Sequence, residues 1–178
     1  MKAKLEIVAN AVFIVAGLLL LAVLVRNYAG AIGLRGPVTI READILVQPP
    51  RYDWGNANRT VVLALSSECQ YCEASAPFYR RLAALDSSGE STAELLAVFP
   101  DVEEAARSAM QRNGLAIEYR SGFSFAPWKI SGTPTIAIVS STGRVLQLWT
   151  GQLSSEREEV VMESIRSSAP RRAGLVNP

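Results

Sequence analysis

The chain has only two cysteines, and they stand three positions apart in Ser67-Glu68-Cys69-Gln70-Tyr71-Cys72, directly after the apolar run Val61-Val62-Leu63-Ala64-Leu65. This spacing constrains the fold at one point: a buried strand has to end where a helix begins, so that positions i and i+3 share a helical face. The unpaired amides of a helix start stabilise a thiolate there. The pattern implies dithiol/disulfide chemistry.

What is missing sharpens the reading. The chain contains no histidine and no third cysteine, so a tetrahedral zinc site cannot be completed. A c-type haem attachment needs histidine directly after the second cysteine, and that position is Glu73. Cys-His and Ser-His-Asp hydrolases fail for want of the same imidazole. No metal and no bound cofactor is expected beyond the redox-active pair itself.

Lys and Arg number 18 against 17 Asp and Glu in 178 residues, 49% of them apolar. Near-neutral charge offers no footprint for nucleic acid, and the length suits one domain plus an appendage. The appendage is Ile7 to Val25, a nearly unbroken apolar run long enough to span a bilayer at about 1.5 Å per residue. Lys2 and Lys4 precede it, so residues 1–6 are expected in the cytoplasm and the remainder beyond the membrane. Ala29-Gly30-Ala31 has the form of a signal cleavage site, but the run exceeds the usual signal core, which favours an uncleaved anchor. Either reading places the rest of the chain in an oxidising compartment, where a close cysteine pair readily forms a disulfide.

Residues 26–58 read as a linker followed by an irregular or short β lead-in, broken by Pro49-Pro50 and ending in the turn-rich stretch 53–58. Beyond it the pattern alternates. Thr60–Leu65 is predicted as a strand, Cys69–Leu85 as a helix kinked at Pro77, Leu95–Phe99 as a strand and Asp101–Asn113 as a helix. Leu115–Tyr119 is expected to be extended and 121–129 to be an aromatic loop. Thr135–Val139 and Arg144–Trp149 form a hairpin around Ser141-Thr142-Gly143, and Ser154–Ser167 is the final helix. Such alternation implies a central sheet with parallel pairs and helices on both faces.

This order, with Cys-x-x-Cys after the first buried strand and Gly132-Thr133-Pro134-Thr135 before the third, resembles the thioredoxin superfamily. The stretch Lys129 to Leu153 is similar to that family's cis-proline loop and hairpin. The extra helix and strand between Asp101 and Tyr119 are most similar to its membrane-anchored TlpA/ResA-like branch. The resemblance covers residues 59–168 and leaves 169–178 as a tail. It implies an α/β, thioredoxin-like fold, a central mixed β-sheet flanked by helices, preceded by a transmembrane helix at 7–25.

The same resemblance implies roles. Cys69 would be the attacking thiol, Cys72 the shielded resolving thiol, and Pro134 the cis-proline that sets the Thr133 backbone beside the disulfide to meet an extended substrate. A turn proline is the alternative for Pro134, and a static disulfide the alternative for the pair. A bridge closing two residues would be a weak staple, however. Gln70 and Tyr71 are expected at the exposed helix start, able to contact a partner. Trp128, with Phe123 and Phe125, is a candidate to line a substrate groove, against the alternative of core packing.

Two departures from the family pattern bear on reactivity. Glu68 replaces the usual Trp before the first cysteine, and a carboxylate there opposes thiolate formation unless it points into solvent. Leu63 stands where thioredoxin carries a buried acid, so deprotonation of Cys72 needs water or another acid, for which Glu118 is the candidate. The expected activity is thiol:disulfide oxidoreduction, on the reducing side, toward proteins with cysteines or disulfides. A membrane electron donor of DsbD/CcdA type would supply it, and cytochrome c maturation is one fitting task. A thioredoxin-fold scaffold with a structural disulfide is the non-enzymatic alternative. A thiol peroxidase is another, weakened because Val62 occupies the position its motif gives to proline.

Overall fold

In the computed structural model, residues 14–20, 23 and 39–166 are described. Of the apolar run 7–25, residues 14–20 and 23 are helical and exposed. The rest of that run, residues 1–6, Ala29-Gly30-Ala31 and the tail 169–178 lie outside the described residues. Among the described residues no helix is long and apolar enough to cross a membrane.

From residue 39 the chain builds a five-stranded mixed sheet. The strands are β1 (Arg59–Ala64), β2 (Glu94–Val98), β3 (Glu118–Arg120), β4 (Thr135–Ser140) and β5 (Val145–Thr150), in the order β3-β2-β1-β4-β5. β1 to β3 run parallel, whereas β4 pairs antiparallel with both β1 and β5. β1 is central, paired on both sides, and reads as a continuous apolar run because both its faces are covered. The α-helices described from residue 39 onward are α1 (Gln70–Ala74), α2 (Ala76–Ser88), α3 (Glu103–Arg112) and α4 (Ser155–Arg166).

The helix predicted over Cys69–Leu85 is two helices, not one kinked helix. Pro77 lies in the first turn of α2, where its missing N–H costs nothing, and Ser75 joins the two pieces. α2 ends at Gly89, whose φ of 75° supplies the left-handed cap. The extended segment predicted at Leu115–Tyr119 pairs only over Glu118–Arg120, because Leu115 still closes the end of α3, its backbone N–H donating a hydrogen bond to the Met110 carbonyl.

The sheet separates two cores. On one face Val61, Leu63, Leu65, Leu95, Ala97, Ile136 and Ile138 meet Cys72, Phe78, Tyr79 and Leu82, together with the buried residues of α3 and α4. On the other, Val62, Leu96, Val98, Ala137 and Val139 meet Ile40, Leu46, Tyr52, Trp54, Phe123 and Trp128. The alternation follows from the pleat: neighbours along a strand point to opposite faces. The second face is covered by the 3-10 turns Trp54–Asn56 and Ala126–Trp128 and by irregular chain, where the strand–helix alternation predicts helices. Residues 39–58, set apart by sequence as a lead-in, pack here, and Ile45 bridges to Arg144.

Candidate active site

Topology gathers the predicted residues at one edge of the sheet. β1 and β2 lead there into Cys69 and Asp101 respectively, and antiparallel β4 begins there, so that Thr135 pairs with Ala64 and Pro134 precedes it. The carboxyl ends of parallel strands are where an open α/β sheet leaves room for chemistry.

Cys69 and Cys72 are joined as a disulfide with their Cα atoms 5.2 Å apart. Cys69 is the N-cap of α1, in extended backbone just ahead of the helix, and its sulfur accepts the Cys72 N–H at 3.1 Å. A sulfur in the N-cap position takes the place a serine or aspartate oxygen would occupy, and that amide favours its thiolate. Cys69 is half-buried, whereas Cys72 is 2% exposed and belongs to the first core. One sulfur is therefore open to attack and the other shielded.

The Thr133–Pro134 peptide bond is cis. The Thr133 carbonyl lies 3.3 Å from the Cys69 sulfur, close enough to accept a hydrogen bond from the thiol once the disulfide is opened. Thr133 is half-buried and Pro134 buried, with the Pro134 carbonyl tied to the Gly151 amide at 2.8 Å. Gln70 and Tyr71 are exposed, as expected of residues at the helix start. Glu68 is exposed as well, pointing to water instead of standing over the thiol.

Two predicted site residues are placed elsewhere. Trp128, proposed for a substrate groove, is 1% exposed in the second core, its ring 4.6 Å from Phe123 and its indole N–H donating to the Val47 carbonyl at 2.9 Å. A ring so enclosed is core packing. Glu118, proposed as proton acceptor for Cys72, pairs in register with Leu96, whose side chain lies in the second core, while Cys72 lies in the first. The sheet stands between them. Glu118 is exposed and forms an ion pair with Arg120, which also donates to the Pro50 and Arg51 carbonyls. Leu63 is fully buried on the Cys72 face, so no carboxylate replaces the missing acid there.

The sequence reading missed Asp101. Its carboxylate accepts both the Ser67 amide (3.0 Å) and the Ser67 hydroxyl (2.8 Å), and Arg112 donates to the Ser67 carbonyl at 3.2 Å. The loop that carries Glu68 and Cys69 is thereby fastened to the end of β2. An acid directly after the strand-ending Pro100 was the available signal. Within the helix predicted over Asp101–Asn113 it reads only as the first residue.

Also missed were two buried hydroxyls, three and seven residues after Cys72. Ser75 (5% exposed) and Tyr79 (0%) leave Ser75 Oγ and the Tyr79 hydroxyl without a hydrogen-bond partner. Burial pushes the Tyr79 phenol up to about 12, with the nearby Ser75 hydroxyl pulling down and Glu158 pushing up.

No protein-family profile and no curated protein matches the sequence. Solved structures do. A thiol:disulfide interchange protein from Bacteroides sp. superposes with a TM-score of 0.57 at 11% identity, over 72% of this chain and 93% of that one. A thiol-disulfide isomerase from Corynebacterium glutamicum gives 0.54 at 14%, over 76% and 99%. A thiol-disulfide oxidoreductase from Bacteroides fragilis gives 0.53 at 15%, over 70% and 98%. At these identities the likeness establishes the fold: it is thioredoxin-like, as in those thiol-disulfide exchange proteins.

Proposed function

We propose that this protein is a thiol:disulfide oxidoreductase that exchanges disulfides with protein substrates through Cys69 and Cys72. The observation that carries the reading is the half-buried Cys69 sulfur, capped by the Cys72 amide and lying 3.3 Å from the Thr133 carbonyl beside Pro134, with Cys72 enclosed behind it. In the reducing direction the Cys69 thiolate attacks one sulfur of a substrate disulfide, forming a Cys69–substrate bond and releasing the other substrate sulfur as thiolate. The Cys72 thiolate then attacks Cys69. The Cys69–Cys72 bond forms, the second substrate thiolate leaves, and the substrate has gained two electrons. Thr133 offers its backbone to an extended substrate segment, and Gln70 and Tyr71 form the rim the partner meets. No cofactor beyond the dithiol is required.

The finer reading rests on the sequence. The apolar run 7–25 anchors the chain in a membrane with its thioredoxin-like domain outside the cytoplasm, and a membrane donor of DsbD/CcdA type returns the electrons. With no histidine between the cysteines, the pair operates as a reductant, and keeping apocytochrome cysteines reduced is a fitting task.

Mutating Cys72 to Ser tests the reading. Cys69 then remains bonded to substrates as mixed disulfides, which are isolated from the oxidising compartment and lost under reducing conditions. A Cys72→Ser protein that forms no adducts but unfolds at lower temperature would establish a scaffold with a structural disulfide instead. Equilibrating the pair with glutathione tests direction: a couple as oxidising as a dedicated disulfide donor overturns the reductant assignment.

A further inference from the structure

Thr60, Ser75 and Thr135 are the buried polar or charged residues among those described. Thr60 is bonded to the Tyr52 hydroxyl at 2.9 Å and Thr135 to the Gly132 carbonyl at 2.8 Å. Ser75 Oγ has no partner, nor does the Tyr79 hydroxyl one turn further on. Buried hydroxyls left unbonded are costly, and cores rarely keep them without a use.

The local chain explains why the Ser75 hydroxyl is free. Ser75 is the N-cap of α2, a position where serine normally bonds the second or third helical amide. Here the second position is Pro77, which has no N–H, and the amide of Phe78 donates to the Ser75 carbonyl at 3.0 Å. The backbone of Ser75 is itself helical, with its N–H donating to the Tyr71 carbonyl, so Cys72, Ser75 and Tyr79 follow one another at i, i+3 and i+7. Residues so spaced share a face, and helical side chains lean toward the preceding turn. The side-chain stem of Ser75 is therefore on the face of Cys72, and the Tyr79 hydroxyl lies near that of Ser75.

We propose that the Ser75 hydroxyl is the hydrogen-bond donor to the Cys72 sulfur in the reduced protein, with Tyr79 behind it, stabilising the thiolate while the thiol proton leaves to water. The inference rests on the oxidoreductase reading of the same site. In the disulfide the Cys72 sulfur is neutral and bonded, and the two hydroxyls have only each other nearby, with no partner in full hydrogen-bond geometry. When the bond opens, that sulfur becomes a thiolate acceptor in an apolar surround. β1 and β2, with the residues just past them, contribute Leu63, Leu65 and Phe99 on this face, and β4 contributes Ile136; the nearby acids are exposed Glu68 and Glu73 and, beside Tyr79, Glu158. A phenol raised by burial stays protonated and remains a donor at every physiological pH. Ser75 thus stabilises the reduced form and holds the Cys72 thiolate ready to resolve the mixed disulfide.

Titrating Cys72 by its thiolate absorbance in the full chain carrying Cys69→Ala provides the test. Adding Ser75→Ala raises the midpoint by about one pH unit, the equivalent of a tenfold loss of thiolate, and Ser75→Thr restores it. Tyr79→Phe shifts it the same way by less. In the two-cysteine chain, Ser75→Ala makes the disulfide about tenfold harder for glutathione to reduce, about 30 mV for this two-electron couple. Titrations that coincide with and without the Ser75→Ala substitution, or an unchanged glutathione equilibrium, overturn the proposal even if melting temperature moves. A parent chain that reduces no protein disulfide while these shifts persist would remove the oxidoreductase reading and leave the Ser75 donor standing.

Discussion

The two faces of the sheet solve the same burial problem differently. On the second face every large polar-tipped ring is satisfied: the Trp54 indole donates to Leu46, the Trp128 indole to Val47, and the Tyr52 hydroxyl is bonded to Thr60. On the first face Tyr79, and Ser75 one turn before it, are buried with their hydroxyls unmatched, on the helical face that follows Cys72. The satisfied arrangement serves stability. The unmatched one keeps polar capacity in reserve where the redox state of a neighbour changes, which is why the chemistry belongs to that face.

The largest test of the contrast is on the structural side. Trp128→Ala removes a fully buried ring and is expected to cost about 3–5 kcal/mol in urea unfolding, while the folded fraction exchanges disulfides at the parent rate. A selective loss of exchange with stability intact would put Trp128 back at the substrate.

The Tyr79 phenol is the next. Its folded value of about 12 stands above the ordinary 10, so folding favours the protonated form. The contribution is fully present below pH 10 and is lost as pH rises through 12, amounting to about 3 kcal/mol between those limits. Alkaline titration of the phenolate absorbance should show one of the five tyrosines ionising last, and with it unfolding. Tyr79→Phe should flatten the alkaline loss. If all five ionise together near the ordinary value of 10 while the chain stays folded, the enclosure of Tyr79 is wrong.

The smallest effect is expected from Glu118→Gln. An exposed ion pair with Arg120 on the far face is worth about 0–1 kcal/mol, and the pH profile of disulfide exchange should not move. A shifted profile would restore Glu118 as the proton acceptor and break the separation of the two faces.

The redox pair and the loop opposite it were legible in the sequence because they are local patterns: cysteines three apart after an apolar run, and Gly-Thr-Pro-Thr before one. The central strands were legible for a similar reason, since β1, β2 and β4 are covered on both faces and read as continuous apolar runs. Trp128 was misplaced because a 3-10 turn carries its ring into the second core, a long-range contact that no local pattern shows, and Glu118 because its location depends on parity. A strand expected from Leu115 but pairing only from Glu118 leaves open which side chains share the face of Cys72, and a one-residue difference exchanges the faces. Ser75 looked like an ordinary helix residue until the break at Pro77 made it a cap with nothing to cap.

By itself, then, the sequence determined the chemistry available to this protein: one dithiol, no imidazole, no metal set, and a proline loop of the right form. Those are statements about which atoms exist and how closely the chain must hold them. Tertiary structure alone decided which sulfur is open, which acid fastens the loop, and which face each polar group occupies. Long-range register and the pleat of the sheet fix those relations, and no short stretch of sequence carries them.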